Sequence, residues 1–402
     1  MIAKLLRYDA PIWQISFRPF FLVASVFITF ALLLWGLILT NSLPDNFSDF
    51  HPYAGWFVWH GHEMIFGFVQ AVAIGFLLTA SRNWAGQPGI SSNFIKLLVA
   101  SWLLARLAWL IPSIPTILLG IFDASTPLLA ALGLAQTLRG GEKDHGQGSQ
   151  RHNWPFVLLL LIFAAIQVVF HGLQATQPQY LSLIMQAAVL MMAAMTLWVS
   201  GRVLPFFTRA RLQTQPPSIP KSLLTISMAS SWLIIPFLVA SQIYAESIFL
   251  SIIVFVLAII AAASHSYRLF LFYRKGVITE PMLWSLYSAY AWIIIGYSLI
   301  AISMTIESNV PWLHAITIGG LLTMIISMMA RISLGHTGRA IIALPGIPSV
   351  FIAIQAATLV RITQQTQAGY LITILILLLA LSIFLKQYLP ILIKPRSDGK
   401  PG

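Results

Sequence analysis

Not one of the 402 residues is cysteine. That excludes disulfides, thiolate-ligated metal sites and thiol catalysis together. Charge is nearly as scarce, with 8% of residues Asp, Glu, Lys or Arg, against about 25% in a soluble domain. So few cannot cover a water-facing surface. Acids are the scarcer sign, 11 against 23 Lys and Arg, for a formal net charge of +12. This excess does not read as a nucleic-acid surface, because the cations stand at the ends of hydrophobic segments rather than along one basic face.

What fills the chain instead is apolar: 58% of residues are hydrophobic and the mean hydropathy is +0.85. Uncharged runs cover residues 19–44, 152–201, 222–245, 247–267, 281–306, 308–330, 340–360 and 362–385. A bilayer-crossing helix takes roughly 20 residues, so each run holds one and the second run holds two. The expected fold is all-α: one polytopic transmembrane helical domain over residues 1–402. Its spans are expected at 17–40, 54–80, 94–112, 114–138, 154–172, 180–202, 222–243, 247–267, 281–304, 312–334, 341–361 and 370–391. "MIAKLLRYDA" is too short and too weakly apolar for a secretory signal.

Twelve crossings put both termini on one side, and the charges say which side that is. Apart from Arg106 inside span three, every Lys and Arg but Arg361 falls with the termini, while the opposite loops hold Asp45, Asp49, Glu246 and Glu307. By the positive-inside bias the chain is N-in, C-in. The polar stretches 139–153 and 208–221 are then cytoplasmic loops, the first Gly-rich and the second punctuated by proline. Spans three and four, joined through "PSIP", must be antiparallel neighbours.

Against this background "WFVWHGHEMIFGF" (56–68) is unusual, for it places His60, His62 and Glu63 within an apolar span. At about 1.5 Å of rise per residue, His60 lies roughly 9 Å and Glu63 roughly 13 Å below the outer end. Arg106 and Asp123 fall at similar depths in the next two spans. Lone charges there are expensive, so the group must pair or line a wet cavity, with Arg106 as counter-ion to Glu63 or Asp123. Structural ion pairing competes here with proton or substrate handling, for which Glu63, Arg106 and Asp123 are the catalytic candidates.

On a regular helix His60 and Glu63 share a face, whereas His60 and His62 point about 200° apart. The two rings can chelate one ion only if Gly61 breaks the helix. Otherwise they serve different sites. His51, His171 and His314 stand near the same outer membrane face, whereas His265 and His336 stand toward the inner one. His314 and His336 would be about 33 Å apart along a helix, so two histidine regions are expected. Imidazole ligates heme iron and copper, although buried histidines are often simple hydrogen-bonding partners. Met191, Met192, Met195, Met324, Met328 and Met329 read mainly as packing, with a Cu(I) role as the alternative. Arg202, Arg331 and Arg339 mark the inner ends of spans, where they set topology or form a basic rim for heme propionates, a quinone headgroup or another anion.

Several of these stretches also carry a family resemblance. "SFRPFF" (16–21), "WHGHEMIFGF" (59–68), "GFLLTASRNWAG" (75–86), "GRVLPFF" (201–207), "HAITIGG" (314–320) and "ARISLGHTGR" (330–339) resemble, in order, the motifs of the NnrS family. That resemblance implies a bacterial inner-membrane protein that contains heme and copper and is associated with nitric oxide metabolism and nitrosative stress. It extends to His60, His62, Glu63, Asn83, Trp84, Arg202, Pro205, His314, Arg331, Gly335, His336 and Arg339. The metal centre is expected among His60, His62, His171 and His314, with His265, His336 and the three arginines as further cofactor residues. A redox activity near the periplasmic face would draw on nitric oxide or a related small molecule, and on a quinol or periplasmic electron donor. The competing readings are a transporter of a small solute, heme or copper, whose metal is cargo, and an assembly factor with neither flux nor turnover.

The absence of cysteine makes the topology directly testable. With Ser149→Cys and Ser247→Cys introduced singly, a membrane-impermeant maleimide should label only the second in intact cells, and the opposite pattern would reverse the orientation.

Overall fold

The structure is a computed structural model that describes residues 10–43, 55–111, 113–144, 150–215, 217–306 and 310–400. Asp45, Asp49, His51 and Glu307, expected on the outer side, lie outside these, as do 145–149 of the first loop expected in the cytoplasm. Among the described residues there is no strand, and twelve helices carry the chain. They are α1 (Phe17–Leu39), α2 (Trp56–Ala85), α3 (Ser92–Ala108), α4 (Thr116–Asp144), α5 (Trp154–Thr176) and α6 (Leu181–Leu212). Then follow α7 (Lys221–Ile243), α8 (Ile248–Phe272), α9 (Pro281–Ser303), α10 (Trp312–His336), α11 (Ile347–Thr363) and α12 (Gln367–Ile393).

Each expected span coincides with one of these helices. Ten are long and apolar enough to cross a membrane. The other two, α3 and α11, have 17 residues each, at the short end of what a bilayer needs. The chain is therefore a polytopic all-α membrane protein. Side chains such as Phe57, Ile117, Ile248 and Phe270 are more than two-thirds exposed, as lipid-facing residues are when no bilayer surrounds them.

Local chemistry sets the helix ends. Gly86 closes α2 in the left-handed conformation (φ 62°), where a side chain is disfavoured. The Ser91 hydroxyl accepts from Phe94 N at 3.3 Å and caps α3. Pro155 and Pro281 open α5 and α9, where a missing N–H costs nothing. Two ends differ from expectation. The α6 helix runs on to Leu212, so the second polar loop starts five residues later than 208. The α11 helix starts at Ile347, not 341, because Gly346 at φ 81° and Pro348 define its first turn.

The helices fall into two compact units. The first comprises Met1–Ser182 with Ile332–Ala340 and Leu385–Gly402, and the second Leu183–Arg331 with Ile341–Phe384. Within the first, α4 packs along α5, α3 and α2, and α2 packs on α1. Within the second, α8 lies between α7 and α9, and α9 packs against α10. The methionines Met191, Met192, Met195, Met324 and Met329 are buried, as packing residues are.

Two helices leave the α geometry. Glu63–Val69 in α2 and Ala315–Leu322 in α10 are π-helical, and each π segment starts at or just after a histidine of its span. Such wider turns are uncommon and concentrate at functional sites. Both need small residues at close helix contacts. A methyl group on Gly67 would stand 2.7 Å from Phe27 Cε1 and 2.8 Å from Glu63 Oε2, and one on Gly319 would stand 2.4 Å from Trp292 Cγ.

Gly67→Ala should therefore destabilise the protein by about 1–3 kcal/mol through overpacking. Gly172→Ala, which meets nothing within 4 Å, should be neutral or slightly stabilising. Thermal unfolding of the two variants in detergent checks this, and equal effects would contradict it.

Candidate metal centre

The His-Glu stretch divides as helix geometry requires, with one departure. Through His62 the α2 helix is regular, and its two histidines point apart. His60 is half-buried and stacks on Trp35 of α1, centroids 4.6 Å apart and rings 10° from parallel. His62 is fully buried. The departure is Glu63. At the point where the π segment opens, the long Glu63 side chain reaches its sequence neighbour His62, while its Oε2 stays beside the Gly67 position that faces Phe27 of α1. Its Oε1 sits 3.0 Å from His62 Nδ1.

Arg106 of α3 reaches this group from the side. Its Nε lies 2.8 Å from Glu63 Oε2, an ionic contact without hydrogen-bond alignment. Its Nη2 donates to Asp123 Oδ1 of α4, and its Nη1 donates to Phe66 O at 3.0 Å. Trp102, one turn earlier on α3, donates its indole N–H to Gly67 O at 2.9 Å. Both accepting carbonyls belong to the π segment, so the irregular backbone of α2 and the donors of α3 hold each other in place. Glu63, Asp123 and Arg106 are all at least nine-tenths buried.

Asp123 is the hub. Its Oδ2 accepts from Trp109 Nε1 at 3.1 Å and lies 2.6 Å from His171 Nε2 of α5. His62 Nε2 stands 3.4 Å from the same oxygen, without hydrogen-bond alignment, and makes no hydrogen bond of its own. Pro127, four residues on, has no N–H to give the Asp123 carbonyl, which loses its ordinary helical bond there. His171 Nδ1 meets Gln174 Oε1 at 3.2 Å. Below the centre, Gln167 Nε2 donates to Gln70 Oε1 at 2.7 Å.

Ligating atoms of His62, Asp123 and His171 thus lie within 4.8 Å of one another, all buried. Two imidazole nitrogens and a carboxylate oxygen suit copper or iron. The unsatisfied His62 Nε2 fits that reading, because a buried polar atom without a partner is costly unless something else occupies its lone pair. Charge fits as well: two carboxylates face one guanidinium, so the group needs one more positive charge. A metal cation held between the two imidazoles and the carboxylate would supply it. A heme does not fit on His62 Nε2, since Asp123 and His171 fill the space in front of it while Phe66, Trp109 and Phe170 pack around the ring at 4.7–4.9 Å.

The remaining sequence candidates are distributed elsewhere. In the second unit, His314 is half-buried at the start of α10. His265 is enclosed there, with Nδ1 2.6 Å from Tyr290 OH and Nε2 2.9 Å from Ser231 Oγ. Of the inner arginines in that unit, Arg331 is buried, donates to Met282 O at 2.7 Å and lies 4.0 Å over the Phe207 ring. Arg202 is exposed beside Trp198. In the first unit, the His336 ring lies 5.6 Å from Phe17, and Arg339 donates to Thr337 O at 3.2 Å. The inner candidates are therefore divided between the two units. Sequence reasoning did not group Asp123 with the histidines and missed the neighbouring Trp109, Gln174, Gln70 and Gln167. Trp109 sits three residues after Arg106 and Gln174 three after His171, spacings that share a helix face and carried the signal.

Arg106→Gln leaves two buried carboxylates without their cation, a change worth about 3–5 kcal/mol when a buried pair loses one partner. An SDS titration in mixed micelles should show a loss of that size. A loss under about 1 kcal/mol would mean that water, not Arg106, solvates the acids.

Comparison with known proteins bears on the whole chain. No curated protein matches it. A family model described as "NnrS protein" matches residues 11–396, nearly the full length. The chain belongs to the NnrS family.

Proposed function

We propose that this chain is a copper- and heme-binding protein of the bacterial inner membrane, N-in and C-in, acting in the response to nitric oxide and related nitrogen species. Its copper centre is formed by His62, Asp123 and His171 just below the periplasmic face. The observation that carries this reading is the convergence of two imidazoles and one carboxylate, with His62 Nε2 unsatisfied, in a fully buried group.

When bound, copper supplies one-electron exchange and a site for a small diatomic ligand. The chain's own residues set the conditions for it. Asp123 contributes Oδ2 and is held by Trp109 and Arg106, which fix the carboxylate's orientation. Gln174 at His171 Nδ1 fixes the orientation of that ring, as partners behind a metal ligand do. Phe66, Trp109 and Phe170 exclude water from the imidazoles, which strengthens every electrostatic interaction among them. Glu63 holds a proton-accepting oxygen against His62 Nδ1 while Arg106 balances its charge. Glu63 is thus the candidate for taking up or releasing a proton when the charge of the centre changes. Heme binding is assigned to imidazoles outside this cluster, and no step here depends on it.

The test is copper content and Cu(II) electron paramagnetic resonance of the purified, monodisperse protein. Wild type should bind about one copper per chain at the centre. His62→Ala and His171→Ala should lose it, Asp123→Asn, which keeps an oxygen but not its charge, should weaken it, and Gln174→Ala, behind the His171 ring, should weaken it by about 10–100-fold. His336→Ala should leave it unchanged. Retention of copper with an unaltered spectrum in both histidine variants would exclude this centre.

A further inference from the structure

Four helix ends of the first unit gather cations that the copper reading does not use. Arg18 stands at the start of α1, Arg82 in the last turn of α2 and His336 at the end of α10, with Arg339 and Arg396 just past α10 and α12. The His336 ring lies within electrostatic reach of Arg82, Arg396 and Arg18, and Arg18 within reach of Arg339. Asp398 pairs with Arg396 through both carboxylate oxygens, at 2.9 and 2.6 Å. Among the described residues no carboxylate pairs with Arg82 or Arg339.

Backbone contacts hold these like charges together. Arg396 donates from Nη1 to His336 O at 2.8 Å, and Ser397 N donates to Thr337 O at 3.0 Å, so the tail after α12 is clamped to the loop after α10. Gly338, at φ 74°, admits Asp398 where a methyl group would stand 2.6 Å from its Cγ. The chain after α2 turns at Gly89 (φ 83°) and lies against the Arg82 stem, a methyl group there standing 2.6 Å from Cγ. That positions the stems and leaves the heads with donors to offer. Among the described residues Arg82 makes no hydrogen bond, and His336 makes none through either ring nitrogen. Arg339 uses only Nη1, toward Thr337 O at 3.2 Å. All three side chains are half-buried, so a ligand can reach them from outside the packed interior.

Two guanidiniums without a carboxylate, beside an imidazole without a hydrogen bond, suit an anion, and their place says which. These helices end where a bilayer changes from hydrocarbon to phosphate, and basic groups between transmembrane helix ends hold anionic lipid headgroups. A guanidinium fork matches two phosphate oxygens at once, and an imidazole N–H adds a further donor. We infer that Arg82, His336 and Arg339 form a binding site for the phosphate of an anionic phospholipid. The site shares no residue with the cluster of His62, Asp123 and His171, and it does not depend on copper there.

Native mass spectrometry of the full-length protein, released from micelles after titration with phosphatidylglycerol, tests this. About one lipid per chain should bind saturably, and at least about tenfold more tightly than phosphatidylcholine, which carries the phosphate without net charge. Arg82→Gln and Arg339→Gln, both at half-exposed positions, should each weaken binding by about tenfold, the scale of one charge-assisted hydrogen bond. Lys275→Gln, an exposed cation of the second unit, should leave it unchanged. Inorganic phosphate at the same concentration should not displace the lipid. Equal affinity for the two lipids, wild-type affinity in either arginine variant, or displacement by inorganic phosphate would overturn the assignment.

Discussion

One guanidinium between two carboxylates holds the first unit's interior together. Arg106 contacts Glu63, Asp123 and the carbonyl of Phe66, and so ties α2, α3 and α4 at one depth. Away from water, none of those acids is tolerable alone, and the arginine cannot lose its charge to escape. The three helices are therefore committed to one mutual arrangement. The same interaction leaves a charge unmatched. With two negative groups and one positive, the cluster favours a further cation, and the nearest groups able to carry or bind one are His62 and His171.

The π segment of α2 is what makes that arrangement possible. Opening the turn at Glu63 takes carbonyls out of the regular ladder and presents those of Phe66 and Gly67 to α3. Gly67 admits Phe27 and the Glu63 carboxylate where a side chain would exclude them. Irregular backbone at membrane depth persists only where protein groups satisfy it, and here Arg106 and Trp102 do so. Packing, hydrogen bonding and the geometry of the metal candidates depend on the same few residues.

Much of this was legible in the sequence, for physical reasons. Uncharged runs marked nine of the twelve helices, and apolar stretches interrupted by Glu63, Arg106 and Asp123 marked the other three, because bilayer thickness and backbone hydrogen bonding leave few alternatives. A pairing of Arg106 with Glu63 or Asp123 followed from depth, since buried charges at equal depth on successive spans have little else to meet; that it contacts both did not. The split between His60 and His62 followed from helical periodicity. What could not be read was the π turn, since widening a helix by one residue leaves no periodic trace in a uniformly apolar segment. The convergence of His171 on Asp123, with His60 and His314 elsewhere, was also hidden, because it depends on how four helices rotate about their axes. The surroundings of Asp123 were half legible: its partner Arg106 was visible, whereas its second oxygen, aimed at two imidazoles, was not.

The account stands or falls on what lies between those two rings. Crystals of the copper-loaded protein, measured at the copper absorption edge, would locate the ion by its anomalous scattering. The expected result is a peak within bonding distance of His62 Nε2, His171 Nε2 and Asp123 Oδ2, with Arg106 still bridging the acids. A copper peak at His60, at the methionines or nowhere in the first unit, with His171 still hydrogen-bonded to Asp123, would contradict it.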